Sequence, residues 1–337
     1  MTEPSRLTGL SLVFSLLLTV ACSGTPTDPV AGDAPGDTPP QSPIPAKDLS
    51  FLPGEWSVQA VRVLDDGSTE THNGRSVISQ SLGGRAIKEV LEIGMRDGSV
   101  LEMQALIAER ATSGLWSISR GDASQGTFDV LEGGLVSGAG TFSSREGSRP
   151  DGGRARLRFS EAFSDNFKVE QEWSDDGGAS WKASWRFTYV RGATSGPAGT
   201  RQNACDTEEH HAFDFWLGNW RAVGASGTGG GTNDIKSRLQ GCILEENWVG
   251  GANGTSFNMY DVRSQLWYQV WVDTNGFLLF LQGTRSGDQM TMAGDAGGNG
   301  QRITWTDLGD GRVRQFGEAQ GPAGNWNQSY DLIYSLR

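Results

Sequence analysis

The chain has 337 residues, 36% of them hydrophobic, with 48 glycines and a formal charge of −12. That length accommodates two separate cores, and glycine-rich chains with short apolar runs favour all-β folds over long-helix architectures. The acidic balance, with no Lys/Arg cluster, excludes nucleic acid as a partner, because such binding draws on basic groups meeting phosphates.

At the start of the chain, Arg6 precedes an apolar stretch over 10–20, and Thr19-Val20-Ala21 leads into Cys22. Too short to span a bilayer, the stretch reads as an export signal over 1–22. A cysteine behind a small residue resembles the bacterial lipoprotein box, although Leu18 stands one position further from it than that box places its leucine. Acylation of Cys22 is expected, which would anchor the protein in the bacterial cell envelope, at the periplasmic face or outer membrane. Ordinary secretion with cleavage nearby is the alternative. Residues 23–47 carry seven of the twelve prolines and read as a disordered tether.

Beyond the tether the chain repeats itself. "FLPGEW" at 51–56 and "FWLGNW" at 215–220 both fit Phe-x-x-Gly-x-Trp. In the same order, "LGGRAIKE" at 82–89 answers "LQGCILEE" at 239–246, and Leu115-Trp116 answers Leu266-Trp267. "RLRFS" answers "RITWT", and Trp181 with Tyr189 answers Trp326 with Tyr334. One domain is therefore duplicated over 48–192 and 205–337, with a linker at 193–204. Within each copy the apolar period is two, as in "TSFNMYD" and "WYQVWVD", and dipeptides such as Asp97-Gly98 and Asn275-Gly276 mark hairpins. About ten short antiparallel strands per copy follow, closing either as a barrel or as a sandwich. One short helix is expected over 207–216, capped by Thr207. With Cys22 assigned to the anchor, Cys205 and Cys242 either bridge in an oxidising compartment or stand as separate buried thiols; the bridge is the expectation.

Gly-x-Trp at the head of the first strand, behind a helical turn, is similar to the opening motif of the calycin superfamily of lipocalin-like barrels. The series "FDFWLGNW … GCILEENW … FNMYD … LWYQVWVD … RITWT … DGRVRQ … NW" resembles an uncharacterised bacterial family of that superfamily, over most of the second copy and weakly over the first. The resemblance implies an all-β fold of two tandem antiparallel up-and-down β-barrels, each with a short N-terminal helical plug. It implies no established activity.

Chemistry-bearing motifs are few. His72, His210 and His211 are the only histidines, and neither a nucleophile elbow nor a phosphate loop occurs. "DTEEHH" at 206–211 reads as a solvated helix start rather than a metal site. No histidine is assigned to a barrel strand, so haem is not expected; no cofactor, metal or catalytic residue is assigned. Glu89 and Glu246 match between the copies among apolar neighbours, as do Lys168 with Arg314 and Glu172 with Glu318, patterns that suit either register-fixing ion pairs or a charged cavity lining. Where the copies differ, Asn258, Tyr260, Gln269 and Trp271 of the second supply amides, a phenol and an indole of the kind that orient a ligand, while Ile118 and Arg120 stand in the first for Gln269 and Trp271. The expected ligand-binding set is thus Glu246, Asn258, Tyr260, Gln269, Trp271, Arg314 and Glu318, and the expected partner a small, partly apolar molecule. An acid/base enzyme using Glu246 or Glu318, and a structural module with filled barrels, are the competing readings.

Overall fold

The computed structural model describes residues 48–111, 113–144, 152–295 and 300–337; the expected leader, Cys22 and the tether lie outside the described residues. Ten strands form the first barrel: β1 (Gly54–Val63), β2 (Thr69–Ser81), β3 (Ala86–Gly94), β4 (Ser99–Glu109), β5 (Trp116–Asp122), β6 (Thr127–Val136), β7 (Ala139–Ser144), β8 (Arg154–Ser160), β9 (Asn166–Ser174) and β10 (Lys182–Arg191). Each pairs antiparallel with its neighbour in sequence, and β10 returns to β1. After a two-residue strand β11 (Thr200–Arg201), the second barrel repeats the plan with β12 (Gly218–Gly224), β13 (Gly230–Arg238), β14 (Ile243–Val249), β15 (Gly254–Asp261), β16 (Leu266–Asp273), β17 (Leu278–Ser286), β18 (Gln289–Asp295), β19 (Gly300–Asp307), β20 (Arg312–Gln320) and β21 (Trp326–Leu336). It closes through β21 on β12. Closure leaves neither barrel with a free edge.

The repeated Phe-x-x-Gly-x-Trp motif builds one end of each barrel. Gly54 and Gly218 adopt φ of 146° and 147°, a left-handed setting that disfavours any side chain. The chain thereby turns sharply from a 3-10 turn (Leu49–Phe51 in one copy, Asp214–Trp216 in the other) into the first strand. Trp56 and Trp220 are buried beneath these turns, and each indole N–H donates at 2.8 Å to the carbonyl four residues earlier, of Leu52 and Trp216. In the second barrel Phe213 stacks on Trp216 and meets Trp267 and Trp305 edge-on, corking the end with aromatic rings.

The expected regular helix over 207–216 is instead a run of turns ending in that 3-10 segment. Residues three apart eclipse on such a turn, which aims Phe213 and Trp216 into the barrel together. The 193–204 segment also carries structure: β11 pairs parallel with β4, and the Arg201 guanidinium reaches Glu92 and Glu102.

Cys205 and Cys242 form a disulfide with Cα atoms 5.2 Å apart, tying the segment before the cork to the start of β14. Period two gives β15 and β16 two faces with different tasks. Trp267, Gln269 and Trp271 point into the second barrel, whereas Phe257, Met259, Tyr268, Val270 and Val272 form a shared core with Leu106, Ala108, Phe128 and Val130 of the first. The two barrels belong to one compact unit. Lys88 bonds Glu245 across the seam, and Arg263 bonds Asp129 at 2.7 Å.

Candidate functional site in the second barrel

Away from the cork, the interior of the second barrel opens into a cavity of about 430 Å³. Its position follows from β16: Trp267 touches the cork, while Gln269, Trp271 and Phe277 of the following turn line the cavity, Phe277 being partly exposed at its mouth. Trp248, Leu279, Ile303, Tyr330 and Leu332 complete the apolar walls. Glycines on adjacent backbone let the rings lie flat. A Cβ on Gly254 would come within 2.1 Å of the Trp271 indole, one on Gly317 within 2.3 Å of Tyr330, and one on Gly231 within 2.8 Å of Trp248.

A belt of hydrogen-bonded polar side chains crosses the interior over six strands. Gln269 donates to Asn258 at 2.9 Å, Asn258 to Ser256 at 2.9 Å, and Ser256 to one carboxylate oxygen of Glu246 at 2.7 Å. Asn233 donates to the other oxygen at 2.7 Å. On the far side Tyr334 donates to Gln315, which donates to Tyr330 at 3.3 Å. Glu246, Gln269, Gln315, Tyr330 and Tyr334 present this belt to the cavity, whose lining Gln301 joins from β19. Burial pushes the Glu246 carboxyl up to about 7, against the lowering effect of its bonds from Ser256 and Asn233. Burial and the nearby Glu246 charge push the Tyr334 hydroxyl well above its ordinary value and raise that of Tyr330.

The cavity therefore gathers Glu246, Gln269 and Trp271 from the expected set. Asn258 stands directly behind, fully buried, where it also donates to the Leu244 carbonyl at 3.0 Å and holds the Gln269 amide. Tyr260 lies nearer the cork, beside the rings of His210 and Trp267, and is not part of the lining. Arg314 and Glu318 are not brought to the cavity. Arg314 falls between the inward Val313 and Gln315, so its guanidinium lies outside, bonded to Asp331 at 2.8 Å. Glu318 accepts two bonds from Arg302, which lies over the Trp326 ring. Glu172, Arg156 and Trp181 repeat this outer clamp in the first barrel. The matched charges fix register between neighbouring strands.

Trp248, Gln315 and Tyr330 escaped the sequence reading. One signal was available: Gln315 answers Val169 of the first copy, as the pairing registers show. Two histidine readings also change. His72 does lie on a barrel strand, buried on β2 near Trp185, because "THNGRSV" runs on as strand through its glycine. His210 is fully buried rather than solvated, its Nδ1 2.9 Å from Thr207 Oγ1, while the adjacent His211 stays exposed beside Asp214. Among the described residues no group of His, Cys, Asp and Glu is arranged to hold a metal.

No family model and no curated protein matches the chain. Solved structures to which it is similar include the S-type phycobiliprotein lyase CPES from Guillardia theta, at 13% identity and a TM-score of 0.34 over 44% of this chain and 92% of that one. EF1p2_mFAP2b bound to DFHBI matches at 15% identity and a TM-score of 0.25 over 42% and 94%. A protein of unknown function from the DUF3598 family of Nostoc punctiforme PCC 73102 matches at 12% identity and a TM-score of 0.21, over 84% of this chain and 95% of that one.

Proposed function

We propose that the second barrel binds a small, partly apolar molecule, on a protein exported to the bacterial cell envelope and held there by acylation of Cys22. The observation that carries the binding role is the cavity of about 430 Å³, walled by aromatic and aliphatic side chains and crossed by a pre-bonded polar belt. Enclosure strips water from an apolar ligand, and the Gln269, Gln315 and Glu246 groups orient its polar end. These amides are already held by neighbours, so little ordering cost falls on binding.

Native mass spectrometry of the full chain tests the binding role. A retained small molecule, released by denaturation and lost in a Trp271→Arg variant, is expected; a chain that carries nothing and binds none of a panel of apolar probes refutes it. The anchor is tested by Cys22→Ser, which should move the protein from the membrane to the soluble fraction. Continued membrane association of that variant refutes the anchor. A second reading, an acid/base enzyme, draws support from the cavity-facing Glu246 carboxyl with its value near 7. Under that reading a bound compound would emerge chemically altered in the wild type and unaltered in Glu246→Gln. Glu318, held on the outer face by Arg302, takes no part in either reading.

A further inference from the structure

The duplication supplies its own control for the charge inside the second cavity. Glu89 and Glu246 occupy equivalent places, opposite Ile78 and Ile235 on the preceding strand. Each accepts a 2.7 Å bond from the matching inward position, Ser76 in one barrel and Asn233 in the other. A tyrosine from the last strand stands close to each: Tyr189 bonds Glu89, and Tyr334 feels the Glu246 charge.

One element differs. Burial raises the Glu89 carboxyl, and in the first barrel the inward, buried Arg120 offsets part of that cost. The register opposite that residue, Ala105 to Arg120, corresponds in the second barrel to Ser256 to Trp271. An indole therefore stands where the arginine was, and Glu246 forms none of the ion pairs seen among the described residues. Among the described residues the cavity lining contains no Lys, Arg or His, and its only titratable groups besides Glu246 are Tyr330 and Tyr334. Both tyrosines stay neutral, since their values are raised.

A buried carboxylate without a cation is costly, yet this one faces space rather than packed side chains. Trp248, Trp271, Phe277 and Tyr330 surround that space with aromatic rings, which attract cations through their electron-rich faces. We infer that the second barrel takes an organic cation, a protonated amine or amidine on a compact apolar body, whose charge replaces that of Arg120 opposite Glu246. This rests on the reading of the second barrel as a binding site. An anionic ligand is disfavoured wherever Glu246 is ionised, because it would bring a second negative charge beside it with no cation among the described lining residues.

The test uses three probes with one ring system and different charge: 2-naphthylmethylamine, 2-naphthylmethanol and 2-naphthoate, titrated into the full chain with tryptophan fluorescence as the signal. The amine should bind about 10- to 100-fold more tightly than the alcohol at pH 8, with the acid weakest. The preference should shrink at pH 5.5, where Glu246 is protonated and the amine still charged. Glu246→Gln should bring amine and alcohol together. Trp271→Arg, which restores the first barrel's arrangement and leaves the carboxylate in place, should abolish amine binding even if the Gln variant folds poorly. Equal binding of amine and alcohol, or tightest binding of the acid, overturns the inference and leaves the cavity reading standing. Binding of none of the three overturns both.

Discussion

The two barrels share strand order, cork and outer clamps but fill their interiors differently. In the first, Phe142, Phe159, Phe167 and Tyr189 pack ring on ring, with centroid distances of 5.3, 6.0 and 4.1 Å along the series. At the corresponding places the second has Met292, Trp305, Val313 and Tyr334. Towards the other end, Ile118, Val169 and Leu157 give way to Gln269, Gln315 and Ile303, two of which bring amides into what was packed hydrocarbon. Each buried aromatic contributes about 1.5–3 kcal/mol, so these positions favour a filled interior in the first barrel, while the second keeps open space at its equivalent end. Both belong to one compact unit, so the packed copy supports the hollow one through their shared core.

The comparison can be broken first at the corks. Trp56→Ala and Trp220→Ala should each cost about 3–5 kcal/mol in chemical denaturation, by removing a buried indole and its bond to the turn. A much smaller loss from one of them would show that the two ends are not equivalent. Next is the feature the first barrel lacks: removing the Cys205–Cys242 bridge, which spans 37 positions, should lower stability by about 3–4 kcal/mol. Hydrogen exchange should register that loss mainly in the second barrel.

The buried carboxylates come third, with a pH signature. The folded chain holds the Glu246 proton up to about 7, while the unfolded chain releases it near 4.5. The stabilising contribution is therefore fully present below 4.5 and lost as pH rises through 7. Glu246→Gln should gain about 2–3 kcal/mol relative to wild type between pH 5 and pH 8. Burial raises the Glu89 carboxyl as well, against the pull of Ser76 and Arg120, so Glu89→Gln should also gain on wild type as pH rises, though it leaves the buried Arg120 charge with less compensation. A Glu246→Gln profile with no gain between pH 5 and pH 8 would refute the raised Glu246 value. The smallest effect belongs to the outer clamps: Arg156→Ala and Arg302→Ala should each cost about 0.5–1 kcal/mol, and by similar amounts, since both pair bidentately with a glutamate beneath a tryptophan.

Much of this architecture was legible from local signals. Phe-x-x-Gly-x-Trp announced the cork because only glycine suits the turn at 54 and 218, and because an indole that close to a turn has a carbonyl within reach. Asp97-Gly98 marked its hairpin through the bond that the Ser99 N–H donates to the Asp97 carboxylate and the positive φ of Gly98. The facing of β15 and β16 was harder to read, since the face of Phe257, Met259, Val270 and Val272 is apolar enough to fill an interior; what covers it is the neighbouring barrel, which no local pattern reveals. Arg314 and Glu318 misled for a related reason, as a matched charge on an alternating strand looks alike whether it fixes register outside or binds inside. The cavity itself depends on side-chain volumes summed over many strands, and β11 on a parallel pairing of two residues with β4. Neither leaves a periodic trace.

The contact of Lys88 with Glu245 has a consequence for ancestry and assembly. These residues hold the same place in their respective barrels, and the turns meet reciprocally, Gly126 beside Val262 and Gly276 beside Ala111, as across a twofold axis. The chain is arranged like a homodimer whose subunits have been fused. The two sides have become unlike since: Ser117, Ser119 and Gly121 of β5 stand where β16 has Tyr268, Val270 and Val272, and a Cβ on Gly121 would come within 2.8 Å of the Met259 sulfur. Two copies of the second barrel would press bulk against bulk, and two copies of the first would leave a gap. Made as separate chains, the halves should form mixed pairs in preference to pairs of either kind alone.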